Sequence, residues 1–219
     1  MRLTVTAGKG GVGKTTVAYN LAAELDAVAV DADLGMADLP SARGPDLHDV
    51  LAGRASAVEA VRECGPVAVL PCGRSLAGVR AADPAALVDA VQAVEREYGR
   101  VVVDAPAGMH SDAGVALLAG EAALLVTRPT RAALAGAVRT RELARELDTP
   151  LARVVLNRAD RLGSHDRLAS TLGAPVTALP ESDRLATAQR AGQPVAALAP
   201  DSSASEQFGA LARAVERAV

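Results

Sequence analysis

Ala7-Gly8-Lys9-Gly10-Gly11-Val12-Gly13-Lys14-Thr15-Thr16 constrains this chain more than any other stretch. The apolar alternation of residues 2–6 before it predicts a strand, and residues 15–25 after it predict a helix. A strand, a Gly-rich loop ending Gly-Lys-Thr and a helix form the context in which a backbone cradles phosphates. Glycine is needed there because a Cβ would keep the backbone from wrapping an anion. The loop N–H groups and the helix N-terminus supply donors and a positive dipole end. Lys14 adds a point charge at the β/γ-phosphates of a nucleotide, and Thr15 offers a hydroxyl to Mg²⁺.

Lysine usage sharpens this reading. Of the 23 Lys and Arg residues, only Lys9 and Lys14 are lysine, and arginine fills the other 21 positions. Both lysines sit in the loop, where a compact ammonium differs from a guanidinium fork.

A length of 219 residues accommodates one α/β domain over 1–219 with a full core. Tyr19, Tyr98 and Phe208 are the only aromatics and the net charge is −3. Base stacking and a general attraction to polyanions are therefore poor hypotheses, and nucleic acid is not an expected partner. Cys64 and Cys72 do not form a C-x-x-C pair, so a structural zinc site is not expected either. No leader precedes the first strand and no apolar run reaches spanning length. The expected setting is cytoplasmic.

Along the chain, strands are predicted over 27–30, 67–70, 100–103, 122–126, 153–156 and 175–179. Helices are predicted over 47–51, 58–64, 84–98, 131–147 and 203–219, with Ser203 and Glu206 at capping-box spacing. This alternation argues for a mostly parallel sheet with helices on both faces. Asp31 and Asp33 close the second strand, and two residues of strand spacing turn both carboxylates to one side. Three valines, Val101 to Val103, read as a buried strand, and Asp104 at its carboxyl end takes the Walker B position for Mg²⁺. Pro106 and Gly108 then set a tight turn. Asn157, before Arg158, is either a turn-former or an amide able to pair with a base edge.

Lys9-Gly10-Gly11-Val12-Gly13-Lys14-Thr15-Thr16 resembles the deviant Walker A loop of the MinD/ParA family, P-loop NTPases of the SIMIBI type. The similarity extends to Asp31-Ala32-Asp33-Leu34-Gly35 as switch I and to Asp104-Ala105-Pro106-Ala107-Gly108 as switch II. It implies ATP and Mg²⁺ as cofactors, with Gly8, Gly10, Gly11, Val12, Gly13 and Thr16 around the phosphates. It places Asp33 facing the γ-phosphate, Mg²⁺ and the attacking water. Asn157, Arg158 and the segment Pro180-Glu181-Ser182-Asp183 fall beside the adenine. Asp38 stands where the family often has Asn, so no contact is carried over there. Lys9 is the family's signature lysine, reaching across an ATP-dependent homodimer to the partner's nucleotide.

The function this implies is a MinD-like ATPase switch, slow until a protein partner of unknown identity completes the site. Two alternatives are a ParA-type DNA-partition ATPase and an iron–sulphur carrier or scaffold ATPase. The Asp-Ala-Asp-Leu-Gly segment and the lack of a basic run favour the first reading, and Cys64 and Cys72 lack the spacing that a cluster carrier needs. The last helix mixes Arg213 and Arg217 with Glu206 and Glu216, so no autonomous membrane anchor is expected.

Overall fold

The apolar, β-branched runs become strands of one parallel sheet. The computed structural model describes residues 1–35, 39–40, 43–63, 65–159 and 165–219. The strands are β1 (Arg2–Thr6), β2 (Val28–Asp31), β3 (Val69–Leu70), β4 (Val101–Asp104), β5 (Ala122–Thr127), β6 (Leu151–Asn157) and β7 (Val176–Leu179). Their order across the sheet is β3-β2-β4-β1-β5-β6-β7. Every pairing between these strands is parallel. Parallel neighbours need crossover connections, and the helices supply them.

In chain order the helices are α1 (Lys14–Leu25), α2 (Leu47–Leu51), α3 (Ala57–Ala60), α4 (Leu76–Ala81), α5 (Leu87–Tyr98) and α6 (Ser111–Ala119). They continue as α7 (Arg131–Glu146), α8 (Asp166–Leu172), α9 (Asp183–Arg190), α10 (Val195–Leu198) and α11 (Ser203–Glu216). One sheet face carries α1, α10 and α11 over Leu3, Val5 and Leu124, with Phe208 in the shared core. The other carries α2, α3, α5 and α6 over Val28, Val30, Val101 and Val103. Successive side chains of a strand alternate in direction. Leu125 therefore leaves the face of Leu124 and packs with Ala137 of α7 and Leu172 of α8. The expected α/β class, with a parallel sheet covered on both faces, is what the chain forms.

Several boundaries differ from the sequence pattern. The helix expected over 58–64 is α3 alone, because Arg62 leaves it to form an antiparallel bridge with Val69. Cys64 lies outside the described residues. The stretch at 84–98 opens as a 3-10 turn over Pro84–Ala86 before α5 begins. The final helix is capped one residue earlier than its spacing suggests: the Ser202 side chain accepts from the Ser205 N–H. It closes at Glu216, which leaves Val219 exposed while Phe208, Leu211 and Val215 are buried. Among the described residues, no helix is long and apolar enough to cross a membrane.

Candidate functional site

Because the strands run one way, β1, β2 and β4 end on a common edge of the sheet, where open α/β sheets bind ligands. The chain leaves β1 through the Gly-rich loop and enters α1 at Gly13, the N-cap, with φ 96°. Gly11 is also left-handed, with φ 75°. These are conformations that L side chains adopt at a cost and glycine does not. A Cβ on Gly13 would also overlap the amide nitrogen of Asn157.

Over this loop lies a cavity of about 540 Å³. Lys9, Gly10, Gly11, Gly13, Lys14, Thr15 and Thr16 line it, joined by Asp33 after β2, Pro106 after β4 and Arg158 after β6. Four sequence-distant segments thus converge on one space. Leu34, Gly35 and Ala107, from the two motif stretches, line it too, as do His110, Asp112 and Gln189, which have no role in the sequence reading. His110 and Asp112 had a legible signal: polar residues after the Pro106–Gly108 turn mark the start of α6, whose N-cap is His110.

Lys14 is 7% exposed, and its Nζ lies 2.6 Å from Asp104 Oδ1. Asp104 is fully buried at the end of β4, in register with Val5 of β1. The pair holds a cation at the positive end of α1, which is tolerable only because the carboxylate is beside it. The turn after β4 is tied to the loop's base: the Gly108 N–H donates to the Ala7 carbonyl at 2.9 Å.

The two carboxylates at the end of β2 part company. β2 ends at Asp31, so the alternation does not carry on to Asp33. Asp31 is fully buried, accepting from the Asp33 N–H at 3.4 Å and the Leu39 N–H at 3.1 Å. Asp33 alone reaches the cavity. The expectation that both point to one side is thereby corrected. Asp38 lies outside the described residues.

Asn157 is buried, and its Nδ2 donates to the Val12 carbonyl at 2.8 Å while its Oδ1 accepts from the Arg158 N–H at 3.0 Å. Its amide braces the loop, and Arg158 is held at φ 52°. Pro180, Glu181 and Asp183 follow β7 and do not line the cavity, and Glu181 and Asp183 are exposed. Their helix α9 reaches the cavity only through Gln189.

Gly8 and Val12 lie beneath the cavity rather than on it. A Cβ on Gly8 would overlap the backbone carbonyl of Gly136 in α7, and one on Gly136 would come within 2.8 Å of the Gly8 oxygen. Backbone cannot swing aside as a side chain can. Gly8→Ala is therefore expected to destabilise the fold by about 1–3 kcal/mol, the usual cost of overpacking a filled interior. Thermal denaturation checks this, and an unchanged melting temperature contradicts it.

Thr15, Asp33 and Asp104 offer a hydroxyl and two carboxylates, the hard oxygen donors that Mg²⁺ accepts. Among the described residues, no group of three or more His, Cys, Asp or Glu side chains would hold a metal unaided. Mg²⁺ is bound through few protein oxygens together with phosphates and water. Cys72 is buried, and its thiol is pushed up to about 12 by that burial and by the carboxylates of Asp31, Asp46 and Asp33. It stays a neutral thiol at physiological pH.

The family model described as CobQ/CobB/MinD/ParA nucleotide binding domain matches residues 3–195. An uncharacterised ATP-binding protein of Methanocaldococcus jannaschii is 33% identical over 227 residues, covering 97% of this chain and 86% of that protein. The cell division ATPase MinD of Pyrococcus furiosus superposes with a TM-score of 0.90 at 31% identity, covering 100% of this chain and 99% of the other. MinD of Pyrococcus horikoshii, solved with Mg-ADP, gives 0.90 at 29% identity, covering 99% and 96%.

Proposed function

The chain belongs to the CobQ/CobB/MinD/ParA nucleotide-binding family, and from that membership we propose a MinD-like ATPase switch. It binds Mg-ATP in the P-loop cavity, dimerises around it, and hydrolyses it to ADP and phosphate. The cycle regulates where a protein partner is positioned in the cytoplasm. The observation that carries this reading is the convergence of Lys14, Thr15, Asp33 and Lys9 on one cavity. The Mg-ADP held by the Pyrococcus horikoshii relative supports the ligand class.

The residues divide the work as follows. The Gly10–Thr16 backbone presents N–H donors to the phosphate chain, and Lys14 exchanges part of its pairing with Asp104 for phosphate oxygens. Thr15, with Asp33 and Asp104 beside it, would hold Mg²⁺, which would supply neutralising charge to the phosphates. Asp33 holds the water for in-line attack. As the water oxygen bonds to the γ-phosphorus, the bond to the bridging oxygen breaks and ADP leaves with its electron pair. The water's proton passes to solvent. Such chemistry is mostly positioning, so turnover is slow until a partner stiffens the site. Asn157, Arg158, Pro180, Glu181 and Asp183 are proposed to lie on the adenine side, with the Asn157 amide acting through the loop it braces.

Asp33→Ala tests the proposal. The variant is expected to keep ATP affinity and lose turnover by about a hundredfold, the cost of a misplaced reacting group. Phosphate release at the parental rate removes Asp33 from the mechanism.

A further inference from the structure

His48 is 1% exposed in α2, and its Nε2 lies 3.1 Å from the Leu34 carbonyl oxygen. A carbonyl only accepts, so Nε2 carries the hydrogen and donates it. Cys72 Sγ sits 3.5 Å from the same nitrogen. Glycines make room for the ring: a Cβ on Gly73 would overlap Nδ1, and one on Gly78 would come within 2.7 Å of it. Nδ1 itself is buried with no hydrogen-bond partner among the described residues. Leu34, Leu47, Leu51 and Cys72 surround it in one core cluster, with the Asp46 carboxylate near the Gly73 side of the ring. A leucine or methionine fills such a place at no polar cost. An imidazole there leaves one nitrogen unsatisfied and gains one strong contact, to Leu34.

Leu34 directly follows Asp33, and both line the P-loop cavity. On the sheet side the Asp33 loop is held by Asp31, which accepts from the Asp33 N–H, and by the Ala32 N–H donating to the Asp104 carbonyl at 3.0 Å. His48 ties it to a different body. That body is firm, since α2 has a reciprocal capping box between Asp46 and Asp49. The Leu47 N–H also donates to the Pro71 carbonyl at 2.9 Å, just past β3.

We propose that His48 is a positioning residue for hydrolysis: by donating Nε2–H to the Leu34 carbonyl, it fixes the Asp33 carboxylate relative to the P-loop. This rests on the ATPase reading above. It assigns work to a residue outside every recognised motif and outside the cavity.

The test compares His48→Leu, which removes the donor, His48→Asn, whose amide ends short of Leu34, and His48→Gln, whose amide nitrogen reaches the Nε2 position. Steady-state kinetics with Mg-ATP are paired with hydrogen–deuterium exchange over residues 32–35. His48→Leu and His48→Asn are expected to lower kcat about tenfold, a modest fraction of what misplacement can cost, with ATP affinity unchanged. Exchange over residues 32–35 rises in both, and His48→Gln restores kcat and protection. Parental kcat and exchange in His48→Leu and His48→Asn overturn the inference. So does a His48→Gln protein as impaired as His48→Leu, which would make the ring's shape the relevant property. A parent that releases no phosphate overturns the ATPase reading and the catalytic half of this inference with it. The exchange measurement then decides by itself whether His48 holds the loop.

Discussion

Lys14→Ala is expected to lose ATP binding by about a hundredfold, the upper range for one charge-assisted hydrogen bond of about 1.5–3 kcal/mol. Lys14 is 7% exposed at the first turn of α1, so its charge is screened little by water. The backbone N–H groups of the loop remain in the variant, but partial charges do not replace a full cation beside a polyphosphate. The same change acts on the fold. Removing one member of a buried ion pair typically costs about 3–5 kcal/mol, and Asp104 stays at the end of β4 with its cation gone. Binding must therefore be read on folded protein, by calorimetry at a temperature where circular dichroism is parental. Lys14→Arg separates the two effects. It keeps the charge for Asp104 but brings a planar fork where the loop admits a compact ammonium. It is expected to fold better than Lys14→Ala and still bind ATP poorly. A Lys14→Ala protein that binds ATP like the parent would remove the P-loop assignment altogether.

The parts of the site that were legible in the sequence are those that local backbone chemistry dictates. Gly11 and Gly13 carry positive φ, and a turn with such demands advertises itself in composition. Val101 to Val103 are each fully buried, and a strand covered on both faces reads as an unbroken apolar run. What was not legible depends on direction in space. Asp31 and Asp33 look equivalent in the sequence, and only the end of β2 between them sends one into the core and the other to the cavity. Asn157 was visible as an amide at a strand end, but nothing local says that it reaches the Val12 carbonyl, far away in sequence.

Helices α4, α6, α8, α9 and α10 escaped the pattern for a different reason. α9 buries only Ala188, with Leu185 half-buried beside it, so its apolar stripe is too short to stand out. α6 is apolar on nearly every side because it sits between β1 and α5. Gln189 and His110 reach the cavity from just these elements. His110, Asp112 and Gln189, the cavity residues without a role in the sequence reading, thus belong to helices that are apolar on most sides or too short to stand out.

Lys9→Ala is expected to abolish an ATP-dependent dimer while the monomer still binds nucleotide. Lys9 is exposed on the cavity's rim and makes no ion pair among the described residues. It contrasts with Lys14, five positions on in the same loop, which is buried against Asp104. A loop that already holds one buried lysine has its own phosphate charge answered, so the second lysine needs another duty. In a two-fold dimer the interface is isologous, and each Lys9 meets the nucleotide of the other subunit. Without ATP the same arrangement sets cations against each other, which favours monomers. Binding and assembly are then coupled, and by reciprocity dimerisation raises ATP affinity by the factor with which ATP favours the dimer. That coupling is typically about 1–3 kcal/mol, or roughly 5–150-fold, so it is readable in both directions. Sedimentation velocity of Asp33→Ala, expected to slow hydrolysis, should show monomer without ATP and dimer with it. Adding Lys9→Ala should return the protein to monomer at the same ATP concentration. The double variant's ATP affinity should equal that of the parental monomer measured at high dilution. A Lys9→Ala protein that dimerises with ATP and releases phosphate at the parental rate overturns the role across the interface and leaves a P-loop ATPase that works as a monomer.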